Sequence, residues 1–369
     1  MSGRSVTQSI VLCVPIILMG LGIIMIYSSS SIVAAQRFHD GSYFIKKQFL
    51  FGTCGIISML TVMNIPYTLF KKIAYPLWLL CVALLILVIL PGIGTQVGGA
   101  VRWIRLGPVS FQPAELAKLS VIIVMAYSLA KKEPEQLFSF SIGVLPHLVF
   151  VVPLTVLILL EPDFGTAMML IAFLFSMLFV AGVAKRYLGL LVSGGMAAAA
   201  VLVFEKAYRM ERLLAFLDPW KHSDDSGFQI VQSFLAFGAG GILGTGLGRG
   251  TQKLFYLPEP HTDFILSVIG EELGFIGVVA VIALFVLFVV CGIRIALHAD
   301  DLFGTYMSLG IVIMLGLQAV MNMGVVMGLL PTKGMPLPFV SYGGTALLIN
   351  LVSVGMLLSV SAHSQGVSR

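Results

Sequence analysis

The residues of this chain that could do chemistry stand at the edges of apolar runs. In Pro258-Glu259-Pro260-His261-Thr262-Asp263-Phe264, two carboxylates and an imidazole lie directly before ILSVIGEELGFIGVVAVIALFVLFVVCGI. A carboxylate partly shielded from water has a raised pKa and can act as a base near neutral pH. The structural alternative for Asp263 is a helix cap, because Thr262 or Asp263 stands where that helix would begin. His261 and Glu259 add more polar chemistry than a cap needs. Glu271 and Glu272 follow. At about 100° per residue, a continuous helix returns Glu271 to the side of Asp263, roughly 12 Å deeper, and turns Glu272 to the opposite face. Their structural reading is interhelical hydrogen bonding.

Other polar groups recur in the same setting. Glu115 and Lys118, spaced i, i+3, open an apolar run in Gln112-Pro113-Ala114-Glu115-Leu116-Ala117-Lys118. Proline in the first turn and glutamate before lysine both suit a helix start. The pair either neutralises itself to stabilise packing or forms the polar wall of a cavity. Upstream, Arg102-Trp103-Ile104-Arg105 joins guanidinium groups to an indole that suits the membrane interface, and the arginines suit bidentate contact with a diphosphate. The glycine-dense stretch from Gly238 to Gly250 has no preceding strand and no GK[ST], so it is no nucleotide loop. Its amides and Arg249 suit an anion. Finally, Leu330 to Gly344 carries three prolines, paired glycines, Ser341 and a single charge, Lys333. That composition forbids a continuous helix and reads as a shaped re-entrant loop.

The elements that must position these groups are membrane helices. Of the 369 residues, 58% are hydrophobic and only 11% charged, with a mean hydropathy of +1.02. A soluble domain carries roughly 25% charged residues, so a soluble class is excluded. Ten spans are expected, at 9–28, 48–64, 73–92, 113–130, 143–160, 164–182, 187–205, 264–292, 304–328 and 341–361. Continuous apolar runs, not ten-residue alternation, select helices over a barrel. The first span reads as uncleaved. Glu161-Pro162-Asp163 makes a tight hairpin between spans five and six. The expected fold is an all-α polytopic membrane protein, residues 1–369 forming one membrane domain with a long extracytoplasmic loop, 206–262, between helices seven and eight.

Basic pairs at Lys71-Lys72, Lys131-Lys132 and Lys185-Arg186 lie in alternate loops, which places those loops and both termini in the cytoplasm and the polar segments on the outer face. Residues 93–112 and 206–262 exceed ordinary connectors of about 2–8 residues. The longer one is expected as partly ordered segments lying on the membrane surface. Cys13, Cys54, Cys81 and Cys291 fall in apolar runs without a CxxC pair, which points to packed thiols and to no metal centre. Nothing points to a nucleic-acid partner.

Taken together, YSSSS at 27–31, RWIRLGPVSFQPAELAK at 102–118, EPDFGTA at 161–167, YLPEPHTDFILSVIGEELG at 256–274 and LLPTKGMPLPFVSYGG at 329–344 resemble the SEDS family of bacterial cell-wall proteins, the group of FtsW, RodA and SpoVE. The last two motifs look more like the FtsW/SpoVE branch than the RodA branch. The resemblance covers nearly the whole chain. It implies peptidoglycan glycosyltransferase activity on lipid II at the outer face of the plasma (inner) membrane, in cell division or cell-shape synthesis, beside a class B penicillin-binding protein and other divisome or elongasome proteins. It assigns the important aspartate to Asp263 and further site positions to Arg102, Trp103, Glu115 and Lys118.

Chemistry and resemblance together give an expected mechanism. Asp263 takes the proton from the C4 hydroxyl of the acceptor's N-acetylglucosamine, that oxygen attacks the donor's anomeric carbon, and undecaprenyl diphosphate leaves. An α-linked donor and a β-1,4 product require inversion. Arg102, Lys118, Lys333, Arg249 or a divalent cation (Mg or Mn) would offset the leaving charge, and Trp103, Glu115, His261 and Ser341 complete the expected substrate site. The alternatives are a lipid II flippase, a secondary transporter using Glu115, Glu271 or Glu272 as proton carriers, and a non-catalytic scaffold for a transpeptidase.

Overall fold

A computed structural model describes residues 3–97, 100–107, 109–205, 207–223, 227–251 and 260–364. Glu259 lies outside the described residues. The helices are α1 (Gly3–Phe38), α2 (Tyr43–Met63), α3 (Phe70–Ile89), α4 (Pro113–Leu129), α5 (Leu145–Leu160), α6 (Phe164–Ala181), α7 (Lys185–Glu205), α8 (Ala207–Leu217), α9 (Phe228–Gly240), α10 (Ile265–Leu297), α11 (Leu302–Val326) and α12 (Gly344–His363). Ten of them fall on the ten expected spans, and the chain is a multi-pass membrane protein. Eight are long and apolar enough to cross a bilayer. The other two are α2, which opens with Lys46 and Lys47, and the 17-residue α4, which is buried along nearly its whole length. Neighbouring helices enclose α4 on all sides, so its Glu115 and Lys118 face protein and not lipid.

Successive spans alternate in direction. The starts of α4, α6, α10 and α12 and the ends of α3, α5 and α11 therefore meet on one face. The opposite face carries the Lys71 ammonium, 2.6 Å from Asp301 at the start of α11. Between α3 and α4, the chain departs from the all-helical expectation. β1 (Gly94–Val97), β2 (Ala100–Leu106) and β3 (Val109–Phe111) form a small antiparallel sheet in the order β1-β2-β3. Its valines, Trp103, Ile104 and Phe111 are strand-forming types, and Ala100 and Ile104 of β2 turn inward.

The long connection after α7 also differs from expectation. Among its described residues, only the short α8, with Arg209, Glu211 and Arg212 beside Leu213, Leu214 and Leu217, has the composition of a surface-lying segment. α9 packs into the bundle instead, burying Ile230, Val231, Ser233, Ala236 and Gly240. The Ser233 hydroxyl donates to the Val326 carbonyl at 2.6 Å and meets Ser267 Oγ at 2.8 Å.

Nor is the eighth span one helix. At Gly274 the backbone turns to φ 68°, ψ −167°, splitting α10. This region is essentially open only to glycine, and the break frees backbone groups that a continuous helix would use internally. α10 begins at Ile265, where the expected span begins at 264, but its cap is not the one the structural alternative names. Phe264 takes the N-cap position, so neither Thr262 nor Asp263 does. Asp263 lies in the turn before the helix, and the projection of Glu271 from it along one continuous helix does not apply.

Candidate functional site

Four connections meet on the face where α10 begins. The first is the sheet, whose β2 projects Arg102 toward the α5–α6 hairpin. Its Nε donates to the Glu161 carbonyl at 3.1 Å, and Nη2 donates to the Pro162 carbonyl. Arg102 therefore spends part of its donor fork clamping the hairpin. Trp103 sits beside it, half-buried and paired with Thr95 of β1, and Arg105 is exposed. The sheet is tied to α12 through Thr345 Oγ1, which donates to the Ser110 carbonyl at 3.2 Å.

The second connection is the hairpin. Asp163 caps α6: its carboxylate accepts from the Thr166 amide at 3.0 Å and from the Thr166 hydroxyl at 2.9 Å. Glu161, missed as a site residue in the sequence, is 1% exposed, and neither carboxyl oxygen meets a hydrogen-bond partner among the described residues. Burial, reinforced by the Asp163 charge and opposed by Arg102, pushes its pKa up to about 8. The carboxyl is held as the neutral acid at neutral pH.

The third is the loop from Leu330 to Gly343. The Lys333 stem lies over Gly165 at the start of α6, where a Cβ would stand 2.5 Å from Lys333 Cε. Burial lowers the ammonium to about 8, the Asp163 carboxylate opposes that shift, and the Lys118 charge adds to it. Gly334 lies against Asp263, such that a Cβ there would stand 3.1 Å from Oδ2. Ser341 is buried, and its hydroxyl accepts from the Leu337 amide at 2.8 Å. Its carbonyl accepts from Gln48 of α2 at 3.2 Å. Ser341 thus shapes the loop from within.

The fourth is the turn carrying His261, Thr262 and Asp263. The His261 carbonyl accepts from the Tyr342 amide at 2.9 Å. The imidazole packs 4.4 Å from the Phe44 ring and 5.7 Å from Tyr342. Burial, with the Arg37 charge, lowers it to about 4, so the ring is neutral at neutral pH. Asp263 itself is half-buried. Beneath this turn, Asn322 of α11 donates to the carbonyls of Asp263 at 2.8 Å and Met335 at 2.7 Å. Asn322 was also missed, and the only signal was a carboxamide, one turn after Gln318, in the apolar run that leads into this loop.

Lys118 and Glu115 stand at the start of α4, their charged groups 2.8 Å apart, with side chains 6% and 5% exposed. The glycine-dense loop behaves differently from the anion cradle its composition suggests. The amides of Thr245 and Gly246 donate to the carbonyls of Glu271 and Glu272, at 2.9 and 3.0 Å, across the Gly274 break. The Gly248 amide donates to Glu272 Oε2 at 3.0 Å and the Thr251 amide to Glu271 Oε1 at 2.6 Å. Ser28 of the YSSSS run also donates to Glu272, at 2.7 Å. These amides hold the protein's own carboxylates, and Arg249 lies exposed on that loop.

No group of three or more His, Cys, Asp or Glu side chains gathers at ligating range among the described residues. The residues in view do not build a protein-only cage for Mg or Mn.

Residues 8–366 match the family model described as "Cell cycle protein", FtsW/RodA/SpoVE. A relative from Geobacter sp. (strain M18), a probable peptidoglycan glycosyltransferase FtsW, is 50% identical over 362 residues, which is 97% of this chain and 98% of the relative. A solved structure reported as the structural coordination of polymerization and crosslinking by a peptidoglycan synthase complex superposes with a TM-score of 0.79 at 29% identity, covering 95% of this chain and 96% of that one. The crystal structure of the Thermus thermophilus rod shape determining protein RodA gives a TM-score of 0.71 at 27% identity, over 96% of each chain. With the broken α10 and the convergent loops inside the matched region, this chain belongs to the FtsW/RodA/SpoVE family of cell cycle proteins.

Proposed function

We propose that the chain is an inverting peptidoglycan glycosyltransferase that polymerises lipid II at the outer face of the bacterial plasma membrane. The single observation that carries the chemistry is the placing of Asp263. It is half-buried, outside the helix that the structural alternative would have it cap, and against Gly334, the residue next to Lys333. A carboxylate and a cation on adjoining loops are what a displacement with a charged leaving group requires.

Asp263 accepts the proton of the acceptor's C4 hydroxyl as that oxygen bonds to the donor's anomeric carbon. The bond from that carbon to the diphosphate breaks, and undecaprenyl diphosphate leaves with the electron pair. One displacement inverts the anomeric centre. Lys333 is the cation placed to meet the leaving diphosphate, while Lys118 and Arg102 shape its surroundings through Glu115 and the hairpin. The site lies on the face opposite Lys71, Lys131 and Lys132, which supports an extracytoplasmic orientation. The likeness to a peptidoglycan synthase complex supports a class B penicillin-binding protein as partner.

A proton-coupled transporter is less well supported, because the carboxylates of Glu271 and Glu272 hold the glycine loop and Ser28. The test is polymerisation of lipid II by the purified chain, with its cognate transpeptidase present where wild-type activity requires it. Asp263→Asn, folded, is expected to lose activity by at least about 10²-fold. Full activity in that variant removes Asp263 from the base role, and translocation without polymer favours a flippase.

A further inference from the structure

A base and a cation on two separate loops are useful only if the loops hold a fixed register. Residues 260–264 and 332–336 both lie outside regular helix and strand, so their own backbones do not set that register. Asn322 does. It stands near the end of α11, 2% exposed, and uses both protons of one amide group. One goes to the Asp263 carbonyl at 2.8 Å and the other to the Met335 carbonyl at 2.7 Å. Two carbonyl acceptors also fix the amide's orientation, since the flipped form would set its oxygen against both. The tie lies on the base residue itself and two residues beyond Lys333. A second tie between the same loops is the Tyr342 amide on the His261 carbonyl at 2.9 Å, two residues before Asp263.

We propose that Asn322 is a positioning residue for glycosyl transfer, its paired hydrogen bonds setting the Asp263 carboxylate in register with the Lys333 loop. The inference rests on the base role proposed above. No other short side chain supplies two protons from one atom at this reach. Aspartate keeps the shape and donates none, and leucine keeps much of the volume and donates none. Either substitution releases two carbonyls on segments with no ladder of their own. A displacement of about 1 Å at a reacting group is enough to lower a rate by on the order of 10²-fold. Substrate is held by other groups, so the loss falls on the chemical step.

The experiment measures lipid II polymerisation by the purified full-length chain, with its cognate transpeptidase where wild-type activity requires it, across lipid II concentrations. Asn322→Asp and Asn322→Leu are compared with wild type, alongside thermal unfolding in the same detergent. The expected result is a fall in kcat of about 30–100-fold in both variants, with KM within about twofold of wild type. Agreement between them separates lost donation from the new charge that aspartate alone brings. Wild type that makes no polymer counts against the glycosyltransferase reading itself. With wild type active, the role of Asn322 is overturned if either variant keeps kcat within about twofold. It is equally overturned if the loss appears only as a raised KM, or if both variants fail to fold.

Discussion

Lys118→Met is the perturbation that most sharply separates structure from catalysis in this site. The ammonium and the Glu115 carboxylate lie 2.8 Å apart, with side chains 6% and 5% exposed. A pair this dry owes its stability to mutual compensation, and removing one partner strands the other's charge. The expected loss is about 3–5 kcal/mol. Replacing both, as Glu115→Gln with Lys118→Met, strands nothing and should recover most of that loss, since exchanging a buried pair for uncharged side chains is often close to neutral. Unfolding of the purified protein in a fixed detergent, for both singles and the double, gives the coupling energy directly. Polymerisation of lipid II by the same samples then asks a second question. If Lys118 contributes its charge to the site, the double variant is stable and still slow; if the pair only packs α4, activity returns with stability. A single variant that loses less than about 1 kcal/mol would refute the premise of a desolvated, mutually dependent pair.

Three further outcomes follow from the same geometry. Between the ordinary glutamate value of 4.5 and its folded value of about 8, Glu161 holds a proton that the unfolded chain has released. Its contribution therefore falls as pH rises through that window, by up to about 1.4 kcal/mol per unit, and Glu161→Gln should flatten the unfolding free energy there; equal slopes would refute it. Gly274→Ala forces a side chain into φ 68°, ψ −167° and against the backbone of Ile242 and Gly244. It should cost about 1–3 kcal/mol and open the 241–251 loop to proteolysis, whereas Gly189→Ala on α7, with open space around it, should do neither. Lys333, lowered to about 8, should lose its charge as pH rises past that value, so the KM for donor should climb in wild type and stay level in Lys333→Arg.

What was legible in the sequence was set by the solvent each segment meets. Ten apolar runs became ten long helices because lipid leaves the backbone few other ways to satisfy itself. The EPD turn between α5 and α6 was equally plain. Where segments leave lipid, local pattern says less. IGEELGFIG reads as unbroken helix, because a single glycine in an apolar run is ordinarily tolerated. The break at Gly274 comes from the loop that docks there: Gly241 and Ile242 offer carbonyls to the amides of Phe275 and Ile276 at 2.9 and 3.3 Å. Those partners are more than thirty residues away. The cap of α10 was not legible for a related reason. Thr262 and Asp263 are good cap types, but the Asp263 and His261 carbonyls are held by Asn322 and Tyr342, which keeps the turn out of the helix. Glu161 stood in the EPDFGTA run only as a hairpin residue and Asn322 in no motif, and their roles exist only once the helices bring them beside Arg102 and Met335.

The cations named in the sequence were equivalent there, and their surroundings now separate them as candidates for the leaving diphosphate. Arg102 has two donors on the hairpin carbonyls. Lys118 is matched by Glu115 within a protein-enclosed pair. The glycine loop, rich in amides, gives those amides to Glu271 and Glu272. Lys333 differs: Asp163, the carboxylate acting on it, already accepts two hydrogen bonds from Thr166, and Lys118 repels it. An ammonium lowered by burial gains more from an arriving dianion than one already neutralised, because the compensation it lacks is what the ligand brings. Donor binding should accordingly raise the pKa of Lys333, and proton uptake on binding is the measurable sign. Calorimetry of undecaprenyl diphosphate binding near pH 8, in two buffers of different ionisation enthalpy, should show uptake in wild type and its absence in Lys333→Met. Equal uptake in both would move the role to another cation.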